Sequence, residues 1–180
     1  NGAPVILYVG RIAAEKGIEF LLEAARRRPE AHLVLAGPDD RHGTMTLIRR
    51  ASVEDALRGR VHTLPATPGP PFDLLRRASV FVLASGGENF GLVVAEAASV
   101  GTPVIVSDRS GVAASFASGE ALVVPYDQAA TVEAIARVLD DATLRRSLAE
   151  GGLRAARRST WESVADAQVA LYREALERGR

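Results

Sequence analysis

The sequence predicts an α/β domain built on a Rossmann-like, doubly wound parallel sheet of about six strands with helices on both faces. Three observations predict it. Short apolar runs rich in Val, Ile and Leu recur six times along the chain. They are continuous rather than alternating, the pattern of strands covered on both faces. Helical patterns separate them, so the order is βαβα throughout, and right-handed crossovers wind such units into one sheet.

In chain order the strands are expected at 4–9, 31–36, 60–64, 79–84, 103–107 and 121–124. The first helix is expected over 17–28, where Ile18, Leu21, Leu22 and Ala25 fall at i, i+3, i+4 and i+7 and Pro29 stops the pattern. Further helices are expected at 44–57, 72–77, 91–100, 131–139, 142–157 and 161–176. Ser159 with Glu162 three residues on has the spacing of a capping box for the last of these, and Trp161 beside it reads as a packing anchor. The Pro-rich stretch 65–71 is too short for an interdomain linker and reads as a loop. Residues 1–180 are therefore one domain.

A chain of 180 residues with no cysteine is long enough for a core without staples and offers neither disulfides nor thiolate metal ligands. Basic and acidic side chains number 22 each, without the basic excess of a nucleic-acid binder, so no nucleic-acid partner is expected. No apolar run approaches the ~18 uncharged residues of a spanning helix. The first ten residues lack a basic segment followed by a long apolar one, so no signal peptide is expected, and the setting expected is cytoplasmic. The start almost directly on a strand leads us to expect a domain excised from a longer chain.

In doubly wound sheets the ligand crevice lies outside the carboxyl ends of the strands, so function is sought in the loops that follow them. The loop 10–17 carries Arg11 and Lys16 toward the N-terminus of the first helix, against the helix dipole, and Lys16 is the chain's only lysine. A diphosphate held by these cations and by free amides would relieve the conflict; solvated side chains in a surface turn are the alternative. The loop 85–91 has three glycines in seven residues, which suits close approach to a ligand or simply a tight turn. It is not the G-x-G-x-x-G dinucleotide fingerprint, which disfavours a nicotinamide oxidoreductase. Glu88 lies in that loop, and Glu96 lies in a helix apolar on nearly every side, where a buried carboxylate needs partners. Ribose and sugar hydroxyls would serve, since a carboxylate only accepts; an internal salt bridge for Glu96 and a helix cap by Glu88 are the alternatives. The adjacent pairs Asp39-Asp40 and Asp140-Asp141 read as surface turn and helix residues, so no metal is expected.

Taken together and in order, Gly10-Arg11 with Glu15-Lys16-Gly17, Glu88-Asn89-Phe90-Gly91-Leu92 through Glu96, Gly101-Thr102-Pro103-Val104 and the Ser159-Thr160-Trp161-Glu162 helix start resemble the C-terminal, donor-binding domain of glycosyltransferase family 4 (group 1). These are retaining, metal-independent enzymes of GT-B architecture, built from two Rossmann-like domains, and the resemblance covers essentially the whole chain. It implies a glycosyltransferase of hexosyltransferase type whose partner is a nucleoside-diphosphate sugar (a UDP- or GDP-sugar), with no cofactor. It implies donor binding by Gly10, Arg11, Lys16, Leu64, Ala66, Glu88, Phe90, Gly91, Leu92 and Glu96. Among these, Arg11 and Lys16 bind the diphosphate, Glu88 contacts the sugar, Glu96 holds the ribose, and backbone near Leu64 and Ala66 meets the base. Arg11, Lys16 and Glu88 are the catalytic candidates. The chain departs from the pattern at Pro65, where many members have Gly, and at Ala84, where Pro is common; both bear on base selectivity. The acceptor site belongs to an N-terminal domain not contained in this chain, through which a full-length enzyme could associate with a membrane, so the domain alone is expected to be inactive or nearly so. A non-catalytic nucleotide-sugar-binding module and a sugar-nucleotide epimerase on the same scaffold are the alternatives.

Overall fold

The computed structural model describes residues 2–66, 68–158 and 160–178. Six strands form one all-parallel sheet: β1 (Val5–Val9), β2 (His32–Ala36), β3 (Val61–Leu64), β4 (Val80–Leu83), β5 (Val104–Ser107) and β6 (Leu122–Val124). Their spatial order is β3-β2-β1-β4-β5-β6. The first three strands wind one way and the last three the other, so the topological switch point lies between β1 and β4, which pair through Ile6 with Val80 and Leu7 with Phe81.

Among the described residues there are seven α-helices: α1 (Ile18–Arg27), α2 (Thr44–Ser52), α3 (Phe72–Arg77), α4 (Leu92–Ser99), α5 (Gln128–Asp140), α6 (Ala142–Arg158) and α7 (Trp161–Arg178). Helix α1 packs on α2 and α5, while α4 packs on α3 and α6, giving the two helical layers. Every residue of β4 and β5 is buried, in keeping with sequences apolar throughout except for Ser107 at the end of β5. Edge strand β3 differs: His62, Thr63 and Leu64 are exposed, and His62 stacks on His32 with ring centroids 5.1 Å apart. The continuous apolar run is lost at this edge, whereas β6 at the other edge keeps it although Val123 is 45% exposed.

Local chemistry sets the boundaries. Asp127 caps α5 by accepting from the Ala130 amide at 2.8 Å, starting that helix at Gln128 rather than at 131. Asp141 caps α6 by accepting from the Thr143 and Leu144 amides at 2.8 and 2.9 Å, and Asp140 pairs with Arg28. Arg60 donates to the carbonyls of Ala25, Arg28 and Ala31 at 3.0, 3.0 and 2.7 Å, satisfying the end of α1. Helix α2 ends at Ser52, and residues beyond it form hydrogen-bonded turns that still bury Leu57.

Helix α7 corrects one expectation. None of its residues is buried and Trp161 is 84% exposed, so it anchors nothing within this chain. The capping role expected of Ser159 lies outside the described residues. Thr160 makes a reciprocal cap one residue later: its hydroxyl accepts from the Ser163 amide at 3.2 Å, and the Ser163 hydroxyl accepts from the Thr160 amide at 3.1 Å. No described helix is long and apolar enough to cross a membrane.

Candidate functional site

The loops after β1 and β4 meet above the switch point. The β1 loop contains a short 3-10 turn, Ala14–Lys16, which has no apolar periodicity to announce it. Gly17 ends the turn at φ 67, and a Cβ there would be driven into the Ala84 carbonyl oxygen; only glycine lets the two loops touch. The Gly86 amide donates to the Glu15 carbonyl at 2.7 Å, joining them directly.

Lys16 is the centre of that junction. Its residue is 8% exposed, and its ammonium donates to the Glu88 carboxylate at 2.7 Å and to the Ser85 hydroxyl and Gly87 carbonyl at 3.4 Å each. Arg11 is half-exposed and pairs with Glu15 at 2.8 Å. The dipole conflict expected of these cations is thus met inside the chain by two carboxylates. Glu88 does not cap α4, whose N-cap is Gly91 without a side-chain bond.

The glycine loop is held from behind by the turn after β5. The Ser107 hydroxyl donates to the Ser85 carbonyl at 2.5 Å and lies 3.3 Å from the Ser110 hydroxyl. The Gly111 and Val112 amides donate to the carbonyls of Glu88 and Phe90 at 2.9 and 3.0 Å. The N-cap of α4, Gly91, supplies no side-chain acceptor, so the first amides of the helix have no capping side chain, the condition that makes a helix start attractive to anions.

A crevice of about 490 Å³ opens over this junction, lined by Gly10, Arg11, Lys16, Glu88, Phe90, Gly91 and Leu92 among others. Seven of the sequence-derived candidates are therefore brought together. A smaller hollow of about 150 Å³ continues from Gly10 and Arg11 to Pro65 and Ala66. Leu64 lines neither; its carbonyl accepts the Gly37 amide at 3.0 Å. Glu96 lies one turn further along α4, half-buried and off the crevice lining. It has no ion-pair or side-chain hydrogen-bond partner among the described residues, and burial raises its carboxyl above the ordinary glutamate range.

Sequence reasoning passed over Tyr8 on the crevice floor, together with Leu83, Asn89 and Val93 in its walls and the supporting pair Ser107 and Ser110. Tyr8 could have been found as the polar aromatic one residue from the end of β1. The serines carry no signal apart from their place after a strand.

Comparison with known proteins places this arrangement. The family model described as glycosyl transferases group 1 matches residues 1–154. A D-inositol 3-phosphate glycosyltransferase of Corynebacterium efficiens is 32% identical over 185 residues, covering 96% of this chain and 43% of that protein. The solved sucrose-phosphate synthase of Thermosynechococcus elongatus superposes with a TM-score of 0.82 at 32% identity, covering 98% of this chain and 46% of that one. The Anabaena protein HepE, solved with UDP-glucose, shares the fold at a TM-score of 0.83 and 20% identity, with 97% of this chain and 49% of that one covered. The chain thus spans about half the length of these three proteins.

Proposed function

The chain belongs to the glycosyl transferases of group 1, and on that premise we propose that it is the donor-binding domain of a retaining enzyme that moves a sugar from a nucleoside-diphosphate sugar to an acceptor. The observation that carries this reading is the convergence of Arg11, Lys16, Glu88 and the start of α4 on one crevice at the switch point.

Sugar transfer breaks the anomeric C–O bond and leaves a nucleoside diphosphate, so the barrier falls where departing negative charge is stabilised. Arg11, Lys16 and the uncapped first amides of α4 supply that stabilisation. Lys16 keeps its 2.7 Å bond to Glu88 and turns the donors of its two 3.4 Å contacts, to Ser85 and Gly87, toward the diphosphate, which holds the carboxylate beside the transferred sugar, where it accepts from hydroxyls. Glu96, with its carboxylate unengaged, receives the ribose hydroxyls, and the hollow at Pro65 and Ala66 receives the base. The UDP-glucose bound by HepE supports a uracil nucleotide in this role; a GDP-sugar remains the second donor to test. Acceptor binding is assigned to the remaining half of a longer protein. The exposed apolar side chains of α7, Trp161, Val164, Leu171, Tyr172 and Leu176, are the face that half covers.

Titration calorimetry with UDP, GDP and their sugars tests the reading. The domain binds one of them at millimolar or lower concentration and transfers nothing alone. Absence of binding at millimolar ligand, or unchanged affinity in Glu96→Ala, would overturn it.

A further inference from the structure

We propose that Tyr8 is a positioning residue, whose hydroxyl fixes the backbone of Arg11 and thereby aims that cation at the crevice. The inference rests on the donor-site reading above and adds to it a residue that touches the site from below.

Tyr8 is wholly buried and lines the crevice floor. Phenylalanine would fill the same space without a polar atom to satisfy, so the buried hydroxyl calls for an account. It donates to the Arg11 carbonyl at 2.6 Å, across the turn that leaves β1. On either side of Arg11 the backbone is tied to the end of β2: the Gly10 amide donates to Ala36 at 2.9 Å and the Ile12 amide to Pro38 at 2.8 Å. Among the described residues, the backbone hydrogen bond of Arg11 itself is the one it receives from Tyr8. The Arg11 side chain has only the exposed pair with Glu15, a contact type that orders a long side chain poorly. The turn also lies directly over the phenol, since a Cβ at Gly10 would stand 2.8 Å from the hydroxyl oxygen. Burial, with the nearby Glu88 charge adding to it, pushes the phenol well above its usual pKa, so the group stays a donor throughout the working pH range.

The test is a pair of double-mutant cycles on UDP and GDP affinity, together with the carbonyl 13C resonance of Arg11. Tyr8→Phe removes one oxygen. It is expected to shift the Arg11 carbonyl resonance and to weaken nucleotide binding by about 5- to 20-fold, the order of one lost hydrogen bond. In an Arg11→Ala background the same change is expected to cost less than about twofold, while with Glu96→Ala, at the ribose end, it is additive. Additivity with both partners, or unchanged nucleotide affinity in Tyr8→Phe, would overturn the proposal while leaving the donor site intact. Unchanged affinity in Arg11→Ala would remove this inference and weaken the donor-site reading as well; no binding by the wild-type chain would remove both. Should Tyr8→Phe fail to fold, Gly10→Ala presses a methyl group onto the hydroxyl and is read by the same cycles.

Discussion

Lys16 is a nearly buried charge, bonded to Glu88 at 2.7 Å, and the only lysine available. Its removal leaves the Glu88 carboxylate without its cation and the crevice without its central donor. Lys16→Ala is expected to weaken nucleoside-diphosphate binding by about 10- to 100-fold, the worth of one charge-assisted contact of roughly 1.5–3 kcal/mol; calorimetry measures it. Glu96 gives a pH signature. Burial raises its pKa, so the ionised form that accepts ribose hydroxyls is lost at a higher pH than for an ordinary glutamate. Donor affinity is expected to fall on acidification from a point above the usual carboxylate range. In Glu96→Gln that part of the profile flattens, which titrations at a series of pH values will read.

Among the elements, the ion pair at the end of α6 gives the clearest prediction. Glu120 accepts from Arg158 at 2.8 and 2.6 Å and from the Ala117 amide at 2.9 Å, and these bonds lower its pKa from 4.5 to about 2. A depressed acid stabilises the fold above its unfolded pKa and loses that contribution as pH falls through its folded one. The melting temperature of Glu120→Gln is therefore expected to lie below wild type at neutral pH, with the gap closing between about pH 4.5 and 2. At this scale the sequence was highly legible for strands, which begin and end within a residue of the apolar runs because both faces of β4 and β5 demand apolar side chains. The turns Ala14–Lys16 and Gly111–Ser115 were not legible, since a single turn has no periodicity, yet they shape the crevice. The helix over 161–176 was legible, but not that none of its residues is buried within this chain.

At the scale of the whole molecule, two surfaces divide the labour. The sheet and six helices form a closed core, whereas α7 contributes nothing buried. Leu171→Ala, at a side chain 64% exposed, is expected to change domain stability by less than about 0.5 kcal/mol. Leu22→Ala, at 1% exposure in the core, is expected to cost about 2–5 kcal/mol; denaturant unfolding compares the two. Site legibility follows the same division. Residues in the two loops at the switch point, Arg11, Lys16 and Glu88, converge because topology dictates that those loops meet. Leu64, assigned by resemblance, and Glu96, singled out as a carboxylate in an apolar helix, sit off the crevice lining, and no spacing in the sequence could have told how far.

On the proposed donor-site reading, loops 10–17 and 85–93 make one binding crevice for a nucleoside diphosphate. Amide chemical-shift mapping during titration with UDP and GDP tests it most directly. Perturbations are expected to concentrate in those two loops and at Ala66 and Glu96, and to be abolished by Lys16→Ala. Perturbations centred elsewhere, such as the His32 and His62 edge, or persisting undiminished in Lys16→Ala, would contradict it.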